Sequence, residues 1–125
     1  MPEVKPNRYV TPHFKLSELA CPCCGLFNMG REVLRFLEDV RSSFDRDMIV
    51  NSGVRCEKHN KKVGGKPDSN HLRGEAVDIK CDNSFLRAKL IRAAIKHGVQ
   101  GIGVYQTFIH LDVAKRPNGP AIWLG

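Results

Sequence analysis

Ala76-Val-Asp-Ile-Lys80 alternates in the manner of a β-strand, yet the residue at its centre is a carboxylate. Val77 and Ile79 take one face of such a strand and Asp78 the other. An unpaired charge beside two well-buried neighbours is expensive, so Asp78 needs a partner. His71 stands upstream at the end of a polar loop, and Gly74 and Ala76 between them leave room for close backbone approach or for an ion. Further along, Phe108-Ile-His110-Leu-Asp112-Val puts His110 and Asp112 two residues apart, on one face of a second strand. Two imidazoles and one carboxylate, with a fourth position open to water, are what catalytic zinc requires. A hydrogen-bonded His–Asp pair with a purely structural role fits the spacing as well. His13, His59 and His97 have no comparable surroundings. His59 lies in a polar loop, and His97 stands near a helix end whose dipole favours it.

Around this stretch the chain reads as a single domain, residues 1–125, large enough to bury about two-thirds of its unfolded surface. From Gly30 to Phe44, the apolar residues Val33, Leu34, Leu37, Val40 and Phe44 recur at spacings of three and four, which predicts a surface helix packed by one stripe. A second helix is expected from Asn83 or Ser84 through Phe85, Leu86, Ala88, Leu90, Ile91, Ala94 and Ile95, stopped by Gly98. Met48–Val50, Ala76–Lys80, Val99–Tyr105 and Phe108–Val113 read as strands. Residues 57–70 read as a long polar connection with turns at Gly64-Gly65 and Pro67-Asp68. Residues 1–13 are expected to form an extended N-terminal arm, followed by a short helical turn that Ser17 caps. The terminal Ile122-Trp-Leu segment is expected to cover apolar surface. This order predicts an α+β fold, a small antiparallel sheet backed by helices.

Composition narrows the partners. No run of 18 apolar residues exists, so no helix is expected to insert in a membrane. Met1-Pro-Glu-Val-Lys-Pro precedes no apolar signal core, so synthesis in the cytoplasm without a signal peptide is expected. Twenty Lys and Arg against thirteen Asp and Glu leave a net charge of +7, which favours a polyanionic partner without choosing one. The basic residues lie in scattered groups, and no aromatic residues interleave with them, so specific nucleic-acid binding is not expected. A monomer is expected, because no large second apolar helix face is visible. The five cysteines leave three readings open: free thiols in a reducing compartment, one disulfide involving Cys56 or Cys81, or a structural metal on Cys21 or Cys24 with Cys56 and Cys81. Neighbouring cysteines such as Cys23 and Cys24 are not expected to serve one compact tetrahedral site together.

Several motifs in order then carry a family resemblance. They are Asn51-Ser-Gly-Val-Arg55, His59-Asn60-x-x-Val63-Gly64-Gly65, Ser69-x-His71-x-x-Gly74-x-Ala76-x-Asp78, Gly101-Ile-Gly-Val-Tyr105 and Phe108-Ile-His110-Leu-Asp112. From Phe14 to Trp123 the chain resembles the zinc D-alanyl-D-alanine carboxypeptidases and murein endopeptidases of the M15 type, which share a core with hedgehog signalling domains. The resemblance implies that His71, Asp78 and His110 bind one catalytic Zn²⁺. It implies that Arg55 stabilises the scissile carbonyl or its oxyanion, and that Ser69 binds a substrate terminus or orients its loop. Tyr105 is expected to line the cleft. The implied activity is hydrolysis of peptidoglycan peptide bonds involving D-amino acids by zinc-activated water, without a covalent intermediate.

Where relatives place an acid three residues before the second His ligand, this chain has Thr107. Where others place a His two before it, this chain has Phe108. Asp112 is the nearest substitute as general base, with a role in holding His110 as the competing one. Glu75 and Asp68 are lesser candidates. A small domain of this kind resembles a phage lysis enzyme that acts on the bacterial cell wall after release by the lysis machinery. A non-catalytic zinc-containing binding or structural phage protein is the alternative, and a nucleic-acid-binding protein using the basic loop around Lys61-Lys62 is a further, less favoured one.

Overall fold

The computed structural model describes residues 7–125. The six residues before Asn7 lie outside it, so the extended arm expected over 1–13 is described only in its second half. There the chain is not a free arm. Strand β1 (Tyr9–Thr11) pairs antiparallel with β2 (Phe14–Lys15), and the ring and backbone N–H of His13 bind Glu38 at 2.7 Å each. Helix α1 (Leu16–Leu19) follows directly. Its cap is Lys15, not Ser17: the Lys15 N–H donates to the Glu18 carboxylate at 3.0 Å, and Ser17 lies inside the turn.

Helix α2 (Arg31–Phe44) forms where the periodicity predicts it. Its buried stripe is Val33, Phe36, Leu37, Val40 and Phe44, so Phe36 joins the core while Leu34 is only half-buried. The helix ends on Asp45 in the left-handed region, φ 54°, a conformation that a short polar side chain tolerates. Helix α4 (Ser84–Lys96) starts at an Asn83 cap whose side chain accepts from Phe85 and Leu86 N–H at 2.9 and 3.1 Å. It packs on α2 through Leu90, Ala93 and Ala94. Phe85 and Ile95, read as part of its stripe, face solvent at 88% and 62% exposure.

The main sheet runs in the order β3 (Val50–Ser52), β4 (Ala76–Lys80), β6 (Phe108–Asp112), β5 (Gly101–Val104) and β7 (Ala121–Leu124). The first four strands pair antiparallel, as expected. The terminal segment instead adds β7 parallel to β5, which makes the sheet mixed. Alternation divides its two central strands sharply. Val77, Ile79, Ile109 and Leu111 join Ile102 and the helices in the core, while Asp78, His110 and Asp112 occupy the other face. On that face β5 carries only Gly101 and Gly103, opposite Asp112 and His110. The polar stretch 57–70 is not all loop: it holds α3 (Glu57–Lys62), and a single-turn 3₁₀ helix follows at Asn70–Arg73. No helix among the described residues is long and apolar enough to cross a membrane.

Candidate metal centre

The register of the two central strands sets Asp78 directly opposite His110, so both side chains leave the same face side by side. His71 arrives from the 3₁₀ turn, where Ser69 accepts the His71 N–H at 3.2 Å. The result is a convergence on one oxygen. Asp78 Oδ1 lies 3.1 Å from His71 Nε2 and 3.1 Å from His110 Nδ1.

The far sides of the two rings decide what that convergence means. His71 Nδ1 is 2.7 Å from the Gly53 carbonyl, which can only accept, so Nδ1 donates there and Nε2 is the nitrogen turned to Asp78. His110 Nε2 is 2.7 Å from Asp112 Oδ2. The Asp112 carboxylate also takes both guanidinium nitrogens of Arg116, at 2.8 and 2.9 Å, so it too acts as acceptor. Two ring nitrogens turned toward one anionic oxygen require positive charge between them, from protons or from a cation. The donor set fits a divalent metal, with each histidine held on its outer nitrogen in the way that metal-binding imidazoles are oriented.

The same contacts keep both carboxylates ionised and favour a proton on His110. Burial alone would raise the Asp78 carboxyl, but hydrogen bonds from His110 and His71 hold it well below the usual carboxylate range. Burial likewise opposes charge on Asp112, and Arg116 and then His110 hold it far below that range. Burial pushes the His110 imidazole down, and its bonds to Asp112 and Asp78 outweigh this and raise it.

The group opens into a cleft of about 590 Å³. Arg55 forms part of its wall and is anchored at three points: Nε to Ser52 Oγ at 2.9 Å, Nη1 to Asn60 Oδ1 at 3.2 Å, and Nη2 to Asp78 Oδ2 at 3.0 Å. The wall also includes Tyr105, stacked on Phe108 at 4.4 Å between centroids, and Trp123, whose indole N–H reaches the Tyr105 hydroxyl at 3.3 Å.

A family model described as Peptidase M15 matches residues 12–112. The chain belongs to the Peptidase M15 family. No curated protein matches it. The matched span contains His71, Asp78, His110, Asp112 and Arg55, and stops short of Arg116 and Trp123. Membership makes a peptidase of a chain whose own geometry already gathers two imidazoles and a carboxylate.

The site residues read from the sequence thus lie at or next to one cleft, with Asp112 set behind His110. Asp112, weighed as general base, is 1% exposed, has both oxygens occupied, and does not line the cleft. Its geometry is that of the competing role, orienting His110. Glu75 pairs with exposed Arg73 at 2.7 Å and is also absent from the cleft wall, whereas Asp68 is on it. Ser69 lines the cleft while its oxygen orients the His71 loop. Two residues escaped the sequence reading. Arg116 was one of a scattered basic pair, and nothing local marks it as the clamp on Asp112. Asn60 belongs to a motif of the resemblance, but its work, holding Arg55 and the Lys66 carbonyl, depends on a tertiary contact.

Proposed function

We propose that this M15 chain is a zinc-dependent hydrolase that cleaves peptide bonds involving D-amino acids in peptidoglycan, as a carboxypeptidase or as a stem-peptide endopeptidase. The observation that carries the proposal is the convergence of His71, Asp78 and His110 at the wall of an open cleft. Zinc held by these three residues supplies Lewis acidity toward a carbonyl and lowers the pKa of water. The chain supplies the remainder. Arg55 spends three of its five N–H donors on Ser52, Asn60 and Asp78, which leaves two for an oxygen that gains charge as the amide is attacked. Asp112, clamped by Arg116, keeps His110 in one tautomer. Tyr105 and Trp123 form the apolar wall against which a peptide packs, and Lys66 and Arg116 give the cleft the positive charge that suits a substrate carboxylate. Proton movement falls to Asp68, the carboxylate on the cleft wall other than Asp78, or to solvent. A cell-wall site of action, reached through phage lysis machinery, is part of the same proposal.

Thr107 and Phe108 favour a second reading, a zinc-containing binding or structural protein without turnover, since neither can replace an acid or a His as base. One experiment separates the two. Purified peptidoglycan is digested with zinc-loaded protein, with metal-stripped protein and with His71→Ala and His110→Ala variants, and the products are read by mass spectrometry. Zinc-dependent release of D-alanine or of a cleaved cross-link, lost in both variants, is expected. Bound zinc with no product across several wall chemistries would establish the second reading.

A further inference from the structure

A second cluster of ligating side chains lies outside the cleft. Cys21, Cys23, Cys24 and Cys56 come together although α2 and β3 separate the first three from the last. Cys81 stays apart, buried beside the β6 entry. The Cys23 sulfur is 3.5 Å from that of Cys21 and 3.2 Å from that of Cys56, and the four sulfurs all lie within 4.8 Å of one another. A tetrahedral tetrathiolate zinc, with bonds of about 2.3 Å, sets its sulfurs about 3.8 Å apart. The observed cluster is therefore already close to the size of such a site.

The backbone explains how three near-neighbours can converge. Residues 21–25 form a tight turn in which the Gly25 N–H donates to the Cys21 carbonyl and the Cys21 N–H to the Leu26 carbonyl, each at 2.8 Å. Gly25 closes it at φ +78°, a conformation costly for any residue with a Cβ. Cys21 and Cys24 thus hold the two-residue separation common in structural zinc sites, and Cys56 reaches in from the start of α3. Two backbone donors face the sulfurs: Cys56 N–H to Cys21 Sγ at 3.5 Å and His59 N–H to Cys56 Sγ at 3.4 Å. Such donors stabilise thiolates and recur around bound metals.

We propose that Cys21, Cys23, Cys24 and Cys56 bind a structural zinc ion as four thiolates, independently of the His71–Asp78–His110 set. On binding, the thiol protons leave to solvent and no electron is transferred. The ion replaces protons that the sulfurs otherwise share. Its effect reaches the cleft, because it ties the turn after α1 to the segment that carries the Gly53 carbonyl, which holds His71, and Arg55. That segment is already bonded to α1 through Val54 N–H and the Leu19 carbonyl at 2.7 Å.

The test is cobalt substitution of the reduced, full chain, with metal content measured in parallel. Wild-type protein is expected to hold two ions per chain and to show an intense near-ultraviolet thiolate-to-cobalt band. His71→Ala should lose one ion and keep the band, as should His110→Ala. Cys24→Ser and Cys56→Ser should lose the band, and Cys81→Ser should leave it unchanged. Because the cleft set contains no thiolate, failure of the peptidase reading cannot remove this band. Absence of the band in reduced wild-type protein would overturn the proposal. So would a Cys23–Cys56 disulfide in protein alkylated without reductant, which would assign the cluster to redox chemistry.

Discussion

Asp112 is a buried anion that takes five hydrogen bonds from four residues. Its oxygens take the two Arg116 nitrogens, the His110 ring, the Ala114 N–H at 3.2 Å and the Asn70 amide at 3.4 Å. Gly101 makes this possible, since a Cβ there would strike both Asp112 and Arg116. A buried carboxylate so completely used is better placed to tune a neighbour than to shuttle protons. Asp112→Asn is therefore expected to weaken zinc by about 10- to 100-fold in a chelator competition, with turnover recovering as zinc is raised. Unchanged affinity with lost turnover would return the base to Asp112. Asp68→Asn should leave affinity intact and lower kcat by about 100-fold or more if Asp68 carries the proton; an unaltered kcat would give that role to solvent.

Helix α2 works as the slab on which the sheet is laid. Leu37 and Val40 are fully buried between α2 and its neighbours. Leu37→Ala is expected to cost about 2–5 kcal/mol in chemical denaturation, while the folded fraction keeps its zinc. The α4 cap is a smaller lever, and Asn83→Ala should cost about 1 kcal/mol. Both helices were legible in the sequence because their stripes and caps are local. Helix α3 was not. Its six residues carry no apolar stripe, and it is fixed by Asn60 turning inward to Arg55 and Lys66. The parallel placement of β7 was equally hidden: Ile122-Trp-Leu reads as a cover for apolar surface, yet it forms an edge strand with Ile122 and Leu124 exposed. Phe85 and Ile95 show the converse, a periodic pattern extending beyond the surface available to bury it.

Across the whole molecule, the shared face of Asp78, His110 and Asp112 could be read because period-two spacing declares it on each strand. The clamp by Arg116 and the meeting of Cys56 with residues 21–24 could not, because both are made by chain segments whose approach only the finished fold sets. Long-range ties of this kind also shape stability in acid. Glu38 binds His13 across the surface, and although burial opposes its charge, the bonds from His13 hold its carboxyl below the usual value. A depressed carboxylate stabilises the fold above its unfolded pKa, and that contribution disappears as pH falls through the folded one. Glu38→Gln should thus lower Tm modestly at neutral pH, by the equivalent of under about 1 kcal/mol, with the gap closing on acidification. A gap that widened in acid would reverse the sign of that tie. The pairing of Asp78 opposite His110 has a further consequence for folding. Sliding β6 by one residue along β4 would turn His110 into the apolar layer and bring Ile109 or Leu111 to the cleft. A misaligned molecule cannot bring His71, Asp78 and His110 together, so under the proposed function the zinc retained after refolding would count the molecules whose strands have found their proper alignment.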